Sequence, residues 1–230
     1  ENLSTLEKLE GMECITNLLF PSATASECKN LTFGELRNLS KALITLHDEA
    51  SIGATNGTGD LRDQKRRLAE GCRSLASRIA MGLEKCNSSG TEKLWDIFVS
   101  EPLEREMKKL KLTPAYAKTS IAYEASLAAS GGPRTLRACL AKGLGPLLEY
   151  LRGHTDDPSD NSLAAIHGVA AFVSSCEVTL SKSRIELGVE LTPHPLEAFA
   201  KDTSILLLQI VENTGPSCSF PLKAAASSCL

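Results

Sequence analysis

The side chains that could carry acid–base or metal chemistry are few in this sequence and widely separated. Four histidines stand at positions 47, 154, 167 and 194, and none has a second ligand at the spacing that zinc sites use. His47 lies near an expected helix end, where a solvated histidine suits the helix dipole, and His154 lies in a polar turn. We therefore expect these two at the surface, His167 buried and satisfied on a helix of small residues, and no bound metal or cofactor.

Patterns that mark catalytic sites are also missing from the sequence. The glycine-rich segment 53–59 has no strand before it and no Lys-Ser or Lys-Thr after it, so it does not fit a phosphate-binding loop. There is no Gly-x-Ser-x-Gly nucleophile elbow. The neighbouring carboxylates at 104 and 106, and at 156 and 157, do not share a sheltered helix face. We therefore expect a protein that is not an enzyme.

Eight cysteines support two interpretations of where the protein works. They are widely spaced, without a Cys-x-x-Cys pair, and most fall on apolar faces of expected helices, at positions 14, 28, 72, 86, 139, 176, 218 and 229. Free cysteines in such places behave as small hydrophobic residues, which favours an intracellular protein of the cytoplasm or nucleus. The alternative is a secreted or surface helical domain with disulfides and glycans, because Asn-x-Ser/Thr sequons occur at Asn2, Asn30, Asn38, Asn56 and Asn87.

Positive charge is concentrated in the middle of the chain, although the net charge is −3. Residues 60–142 hold 16 Lys/Arg and 10 Asp/Glu, whereas the flanks hold 9 and 18. If one surface binds a partner, we expect this basic stripe to do so, through Arg62, Arg66, Arg67, Arg73, Arg105, Lys108, Lys109 and Lys111. Binding of nucleic acid or tubulin by the stripe is an alternative, and it should weaken steeply with salt. Ordinary solvated helix faces would give the same charge pattern.

Helix signals recur along the whole chain. Ser4 with Glu7, and Thr32 with Glu35, form capping-box patterns. Apolar residues then recur every three or four positions, which predicts helices over 32–52 and 60–86, joined by a flexible loop at 53–59. Aromatic residues make up only 4% of the chain and no sustained alternation of apolar and polar residues occurs, so a β-sandwich is not expected.

Residues 133–180 carry the most specific pattern. A helix at 144–151 contains Pro146, a polar turn rich in Asp and Pro follows at 153–160, and a second helix at 162–173 is rich in small residues. This unit resembles a HEAT repeat. A second such pair is expected at 195–230 and a third at 32–52 with 60–86, so the period is about 40–50 residues. The resemblance implies stacked antiparallel helix pairs that present an extended surface for other macromolecules.

The sequence therefore predicts an all-α chain, an irregular α-solenoid of HEAT or armadillo type, with a compact irregular helical bundle as the alternative. We expect one helical-repeat domain over 1–230, or a fragment of a larger solenoid, with a weak internal boundary near 87–132. Its expected role is a protein–protein interaction scaffold or adaptor segment of a larger intracellular assembly protein. No run approaches the roughly 20 apolar residues of a membrane span, so membrane insertion is not expected.

Overall fold

Helices form every regular element in the described part of the chain. The computed structural model describes residues 32–85, 91–103, 114–155, 159–187, 191–213 and 220–229, together with residues 4, 7, 10, 11 and 14. The helices are α1 (Phe33–Asn56), α2 (Gly59–Lys85), α3 (Thr91–Trp95), α4 (Pro114–Ser130), α5 (Pro133–Cys139), α6 (Gly145–Arg152), α7 (Asp160–Leu187), α8 (Glu197–Glu212) and α9 (Phe220–Cys229). The all-α prediction is confirmed for these residues.

The two capping boxes form as the sequence predicts. In the second, the Thr32 side chain accepts from the Glu35 backbone N–H at 3.3 Å, while Glu35 Oε2 accepts from the Thr32 N–H at 2.9 Å. In the first, Ser4 and Glu7 make the same reciprocal bonds. Each box satisfies N–H groups that have no partner inside the helix, which fixes where α1 begins.

The expected flexible loop at 53–59 is wrong, because α1 continues to Asn56 and only two residues separate it from α2. The glycines allow close approach of the two helices. A Cβ at Gly53 would lie 3.1 Å from the Lys65 side chain, and one at Gly57 would lie 2.7 Å from the Gly53 carbonyl oxygen. Gly59 has a φ of +58°, in the left-handed region that favours glycine.

A π-helical turn, Asp96–Ser100, follows α3, and the chain remains helical through Leu103. Pro102 lies inside this continuing segment and does not start a new helix. Proline has no N–H to bond the carbonyl four residues earlier, which here belongs to Phe98. Ser40 Oγ on α1 donates to that Phe98 oxygen at 3.3 Å, so a side chain from the neighbouring helix takes the missing donor's place.

A second π-helical turn, Leu140–Leu144, joins α5 to α6 and lies directly before Pro146. The expected disturbance near this proline is therefore present as a wider turn. Gly143 within it is buried, and a Cβ there would lie 2.5 Å from Cζ of Phe172. The glycine lets α7 bring a fully buried aromatic ring against this turn.

The helices pack in two rows, and the most extensive contacts join α4 with α7 and α1 with α2. The first row holds α1, α4, α7 and α9 in succession, and the second holds α2, α5 with α6, and α8. Between the rows, α1 packs on α2, α4 on α2 and α5, α7 on α5 and α6, and α9 on α8. One continuous apolar cluster extends from Leu36 to Ala226, so a single core runs from α1 to α9.

Helix α4 is held from both sides by hydroxyl groups that bind its carbonyl oxygens. Ser77 Oγ on α2 donates to the Ser126 oxygen at 3.1 Å, and Ser175 Oγ on α7 donates to the Ala125 oxygen at 2.8 Å. Thr179 Oγ1 donates to the oxygen of Ala128, in the last turn of α4 where carbonyl groups lack helical partners. These bonds fix how the central helix lies between its neighbours.

Helix α7 is longer and more apolar than the sequence analysis recognised. Over Asp160–Ile185 it is long and apolar enough to cross a membrane, with a mean hydropathy of 1.5, and half of this stretch is buried by the rest of the protein. A core helix of a folded domain meets the same criteria. Its small residues serve packing, since a Cβ at Gly168 would lie 2.9 Å from Leu147 of α6 and 3.0 Å from Ile121 of α4.

Three cysteines lie in the core as free thiols, at positions 72, 139 and 176, which confirms the packing role predicted for them. Burial raises the thiol pKa of Cys72 and of Cys176 to about 11. Burial also raises that of Cys139, and the Glu124 carboxylate adds to this shift. Cys14 is free and exposed, whereas cysteines 28, 86 and 218 lie outside the described residues.

Candidate interaction surfaces

The predicted basic stripe is described only in its first half. Arg62, Arg66 and Arg67 lie on α2 with exposed side chains, and Arg73 is half-buried on the same helix. The other predicted members, Arg105, Lys108, Lys109 and Lys111, lie outside the described residues. The described part of the stripe is therefore the N-terminal half of α2.

This part of α2 forms a tip with the end of α1. Buried residues end at Ala50 on α1 and resume at Leu68 on α2, and none of residues 51–67 is buried. We call residues 51–67 the α1–α2 tip. At 1.5 Å per residue, the stretch 59–67 of α2 extends about 13 Å beyond the start of its buried segment.

The α1–α2 tip exposes apolar side chains among its charges. Ile52 is 43% exposed and Leu61 is 57% exposed. Leu61 lies seven residues before Leu68, so it continues the core stripe of α2 outward, and it stays 57% exposed among the residues that the structure describes. The tip also holds four basic and two acidic residues. Its surface thus combines uncovered apolar area with a positive balance.

The arginines of the α1–α2 tip differ in how far they are engaged. Arg66 lies 3.9 Å from both Asp63 and Glu70, in exposed pairs that contribute little. Arg62 and Arg67 make no ion pair or side-chain hydrogen bond with any residue that the structure describes. These two guanidinium groups are the ones available to an outside carboxylate.

Arg73 instead points into the contact between α1 and α2. Its Nη1 lies 3.3 Å from Nε2 of His47, and Nδ1 of His47 lies 3.3 Å from Oδ1 of Asp48. Because an arginine can only donate, His47 Nε2 accepts and Nδ1–H donates to Asp48. The prediction that His47 is solvated is wrong, since its side chain is fully buried. It is enclosed by Arg73, which lies 26 residues further along the chain, and by Tyr123, whose ring centroid lies 5.2 Å from that of His47.

Ser51 Oγ also approaches His47 Nε2, at 3.4 Å, so an aspartate, a histidine and a serine are linked in the order used by serine hydrolases. Such hydrolases also need backbone N–H groups that are free to bind an oxyanion. Here the surrounding backbone of α1 is helical, and its N–H groups are already bonded. In addition, Arg73 competes with Ser51 for the same nitrogen. This arrangement suits the joining of two helices.

Glu84, at the end of α2, caps the start of α5. Its carboxylate accepts from the Arg134 N–H at 2.7 Å, and from the Thr135 N–H at 3.0 Å and hydroxyl at 3.2 Å. Gly132 has a φ of +106°, and a Cβ there would lie 2.6 Å from Glu84 Oε2. The Arg134 guanidinium stacks 3.9 Å above the Trp95 ring. The joint therefore ties α2, α3 and α5 together.

A cleft of about 440 Å³ opens between α5 and the segment that leads into α8. Its apolar wall consists of Leu140, Pro193, Pro195 and Phe199, and the charged groups at it are Arg137 and Glu197. The volume falls in the range of small-ligand and peptide pockets. No sequence motif marks this region as a binding site. The sequence feature that indicates a rigid cleft wall is the pair of prolines on either side of His194.

The remaining histidines are at the surface. His154 stacks on Tyr150 with ring centroids 4.1 Å apart, and its Nδ1 lies 2.8 Å from the Tyr150 carbonyl oxygen, as expected for an exposed turn. His167 was expected to be buried and is exposed, because α7 packs through the opposite side of the helix, which carries Ala165, Val169 and Phe172.

Within the described ranges, no group of three His, Cys, Asp or Glu side chains could hold a metal ion. Asp48 and Glu124 border one small internal cavity of about 10 Å³, which is the lower limit for a single water molecule. Apolar side chains of α1, of α4 and of the segment 99–103 complete its lining. The cavity is too small for an organic ligand.

No family model, curated protein or solved structure matches this chain. What bears on its function is therefore the arrangement of its own side chains.

Proposed function

We propose that the protein is a short α-solenoid of HEAT or armadillo type, and that it serves as a non-catalytic scaffold for another protein inside the cell. The order of the helices along the two rows supports this proposal, because the members of each row lie side by side in the order in which they occur in the chain. Such stacks leave long faces open to a partner. The three free, buried cysteines favour an intracellular setting over one with disulfides.

The observation that carries the proposal is the α1–α2 tip. It extends beyond the core, exposes Ile52 and Leu61, and holds Arg62 and Arg67 without an ion pair among the described residues. Apolar area next to arginine is the composition found at the centres of protein interfaces. We infer that the tip is the principal partner-binding surface.

The chemistry of the tip also indicates what the partner offers. Free guanidinium groups bind carboxylates bidentately, and exposed leucine and isoleucine side chains need an apolar surface to cover them. An amphipathic helix with acidic residues beside its apolar stripe meets both requirements. A nucleic acid would use the arginines and leave Leu61 and Ile52 exposed.

The test compares two charge reversals of equal size. In Arg62→Glu/Arg67→Glu the reversal is on the tip, and in Arg184→Glu/Lys201→Glu it is on exposed residues of α7 and α8. Each tagged protein is used to capture partners from nuclease-treated cell lysate at low and high salt. We expect a protein partner that the tip reversal removes, that the control reversal retains, and that high salt weakens.

Other outcomes would contradict parts of the proposal. A partner that survives the tip reversal would place the binding surface elsewhere on the stack. Capture that disappears on nuclease treatment would identify nucleic acid as the ligand of the tip. Failure to capture any protein under all conditions would contradict the scaffold function itself.

A further inference from the structure

The cleft between α5 and the start of α8 is a second surface. It is formed by residues from the C-terminal half of the chain, whereas the α1–α2 tip lies in the N-terminal half. One wall is the Arg137–Leu140 stretch of the α5 end, and the other is the segment 193–199. Phe199 is half-buried, with its ring next to Gly145, where a Cβ would lie 3.8 Å away. The apolar floor is thus fixed by packing between neighbouring units of the stack.

Two opposite charges at this cleft have no partner within the described part of the chain. The other arginines of α5 and α6 are engaged, since Arg134 pairs with Asp96 and Arg152 with Asp202 and Glu149. Arg137 and Glu197 form no ion pair with any described residue, including each other. Both side chains are exposed, so both can meet a ligand.

The loop also presents a hydrogen-bond donor. His194 Nδ1 accepts from the Leu196 backbone N–H at 3.2 Å. In the neutral ring the proton therefore lies on Nε2, which leaves an N–H free to donate outward. A ligand in the cleft is offered an apolar wall, a cation, a carboxylate and an imidazole donor.

We propose that this cleft binds an extended peptide segment with one acidic residue, a short apolar centre and one basic residue. The acidic side chain pairs with Arg137, the apolar side chains lie against Pro193, Pro195 and Phe199, and the basic side chain pairs with Glu197. His194 Nε2–H donates to a carbonyl of the peptide backbone. Because the two unpaired charges have opposite sign, they also fix the direction in which the peptide lies.

The experiment uses a displayed library of random linear heptapeptides and two forms of the whole protein. One is the wild type, and the other is the charge exchange Arg137→Glu/Glu197→Arg, which keeps the net charge. We expect the wild type to select acidic–apolar–basic sequences and the exchange variant to select the reverse order. Peptides from the first selection should bind the exchange variant roughly tenfold or more weakly, since a reversed ion pair repels.

The tip reversal Arg62→Glu/Arg67→Glu serves as a control away from the cleft, and it should leave peptide affinity unchanged. Three results would overturn the proposal: no enriched peptide, the same peptides enriched by both forms, or loss of peptide binding in the tip reversal. The last would assign the peptides to the α1–α2 tip. Failure at the cleft would leave the scaffold function intact, because its partner binds through the tip.

Discussion

Replacing Glu84 by glutamine tests the joint between α2 and α5. The carboxylate accepts two backbone N–H groups and one hydroxyl at the start of α5. Glutamine keeps one acceptor oxygen and turns an NH₂ group toward one of these donors. A hydrogen bond to a charged group contributes about 1.5–3 kcal/mol, and a neutral one about 0.5–1.5. The lost charge at a helix N-terminus adds about 0.3–1 kcal/mol. We therefore expect Glu84→Gln to lower the free energy of unfolding by about 2–3 kcal/mol.

Urea unfolding followed by circular dichroism at 222 nm measures this loss. With a denaturant slope of about 2–3 kcal/mol/M, the midpoint should fall by about 1 M. Glu70→Gln is the matched control, because it makes the same change on the exposed face of the same helix, and its midpoint should shift by less than about 0.2 M. Equal shifts in both variants would refute the capping role of Glu84.

Three further predictions concern other side chains. Gly132→Ala should lower the free energy of unfolding by about 1–3 kcal/mol, because φ is +106° there and a Cβ meets the Glu84 carboxylate. Gly34→Ala, in open space on α1, should instead raise it by up to about 1 kcal/mol. Thermal unfolding measures both changes. Arg73→Gln should lower the urea midpoint because His47 loses its donor, and Arg67→Gln should not. Iodoacetamide at pH 8 should label Cys14 within minutes and spare the three buried thiols until urea unfolds the protein, as peptide mass spectrometry will show.

The same buried thiols predict how stability depends on pH. Burial raises the pKa of Cys72 and Cys176 from about 9 to about 11. A raised thiol pKa means that the folded state favours the neutral form. The stabilisation is complete below pH 9 and is lost as the pH rises from 9 through 11. Denaturation midpoints measured from pH 7 to 11 should therefore stay level and then fall.

Local signals made most helices predictable from the sequence. The capping boxes, the apolar spacing of three and four, and Pro114 and Pro133 at helix starts depend on residues close in the chain. The segment 53–59 was misjudged because the same glycines that permit a flexible loop also permit two helices to approach closely. Composition alone does not distinguish these cases.

Contacts between distant residues could not be predicted in the same way. His47 is buried because Arg73 and Tyr123 enclose it, and neither is near it in sequence. The Glu84 cap joins residues 50 positions apart. One local sign of it was present, since Gly132 at the start of α5 has no side chain to cap the helix, so an acceptor for the first N–H groups of α5 had to come from elsewhere.

The basic stripe was predictable as a charge pattern, yet its side chains do not act alike. Arg62 and Arg67 are available, Arg66 lies between two carboxylates, and Arg73 joins two helices. The cleft was not predictable, because Arg137 and Glu197 lie far apart in the sequence and come to one cleft only when the chain folds. Whether a charged side chain is unpaired is known only when the folded structure gives the positions of its possible partners.

The most direct test of the scaffold proposal is site-specific photo-crosslinking at the α1–α2 tip. A benzophenone amino acid replaces Leu61 in one protein and Ile185, which is 82% exposed on α7, in a control. The tip probe should crosslink a defined protein in cell lysate, and Arg62→Glu/Arg67→Glu in the same chain should abolish that crosslink. Crosslinks that are the same from both positions, or that persist after the reversal, would contradict a partner-binding tip.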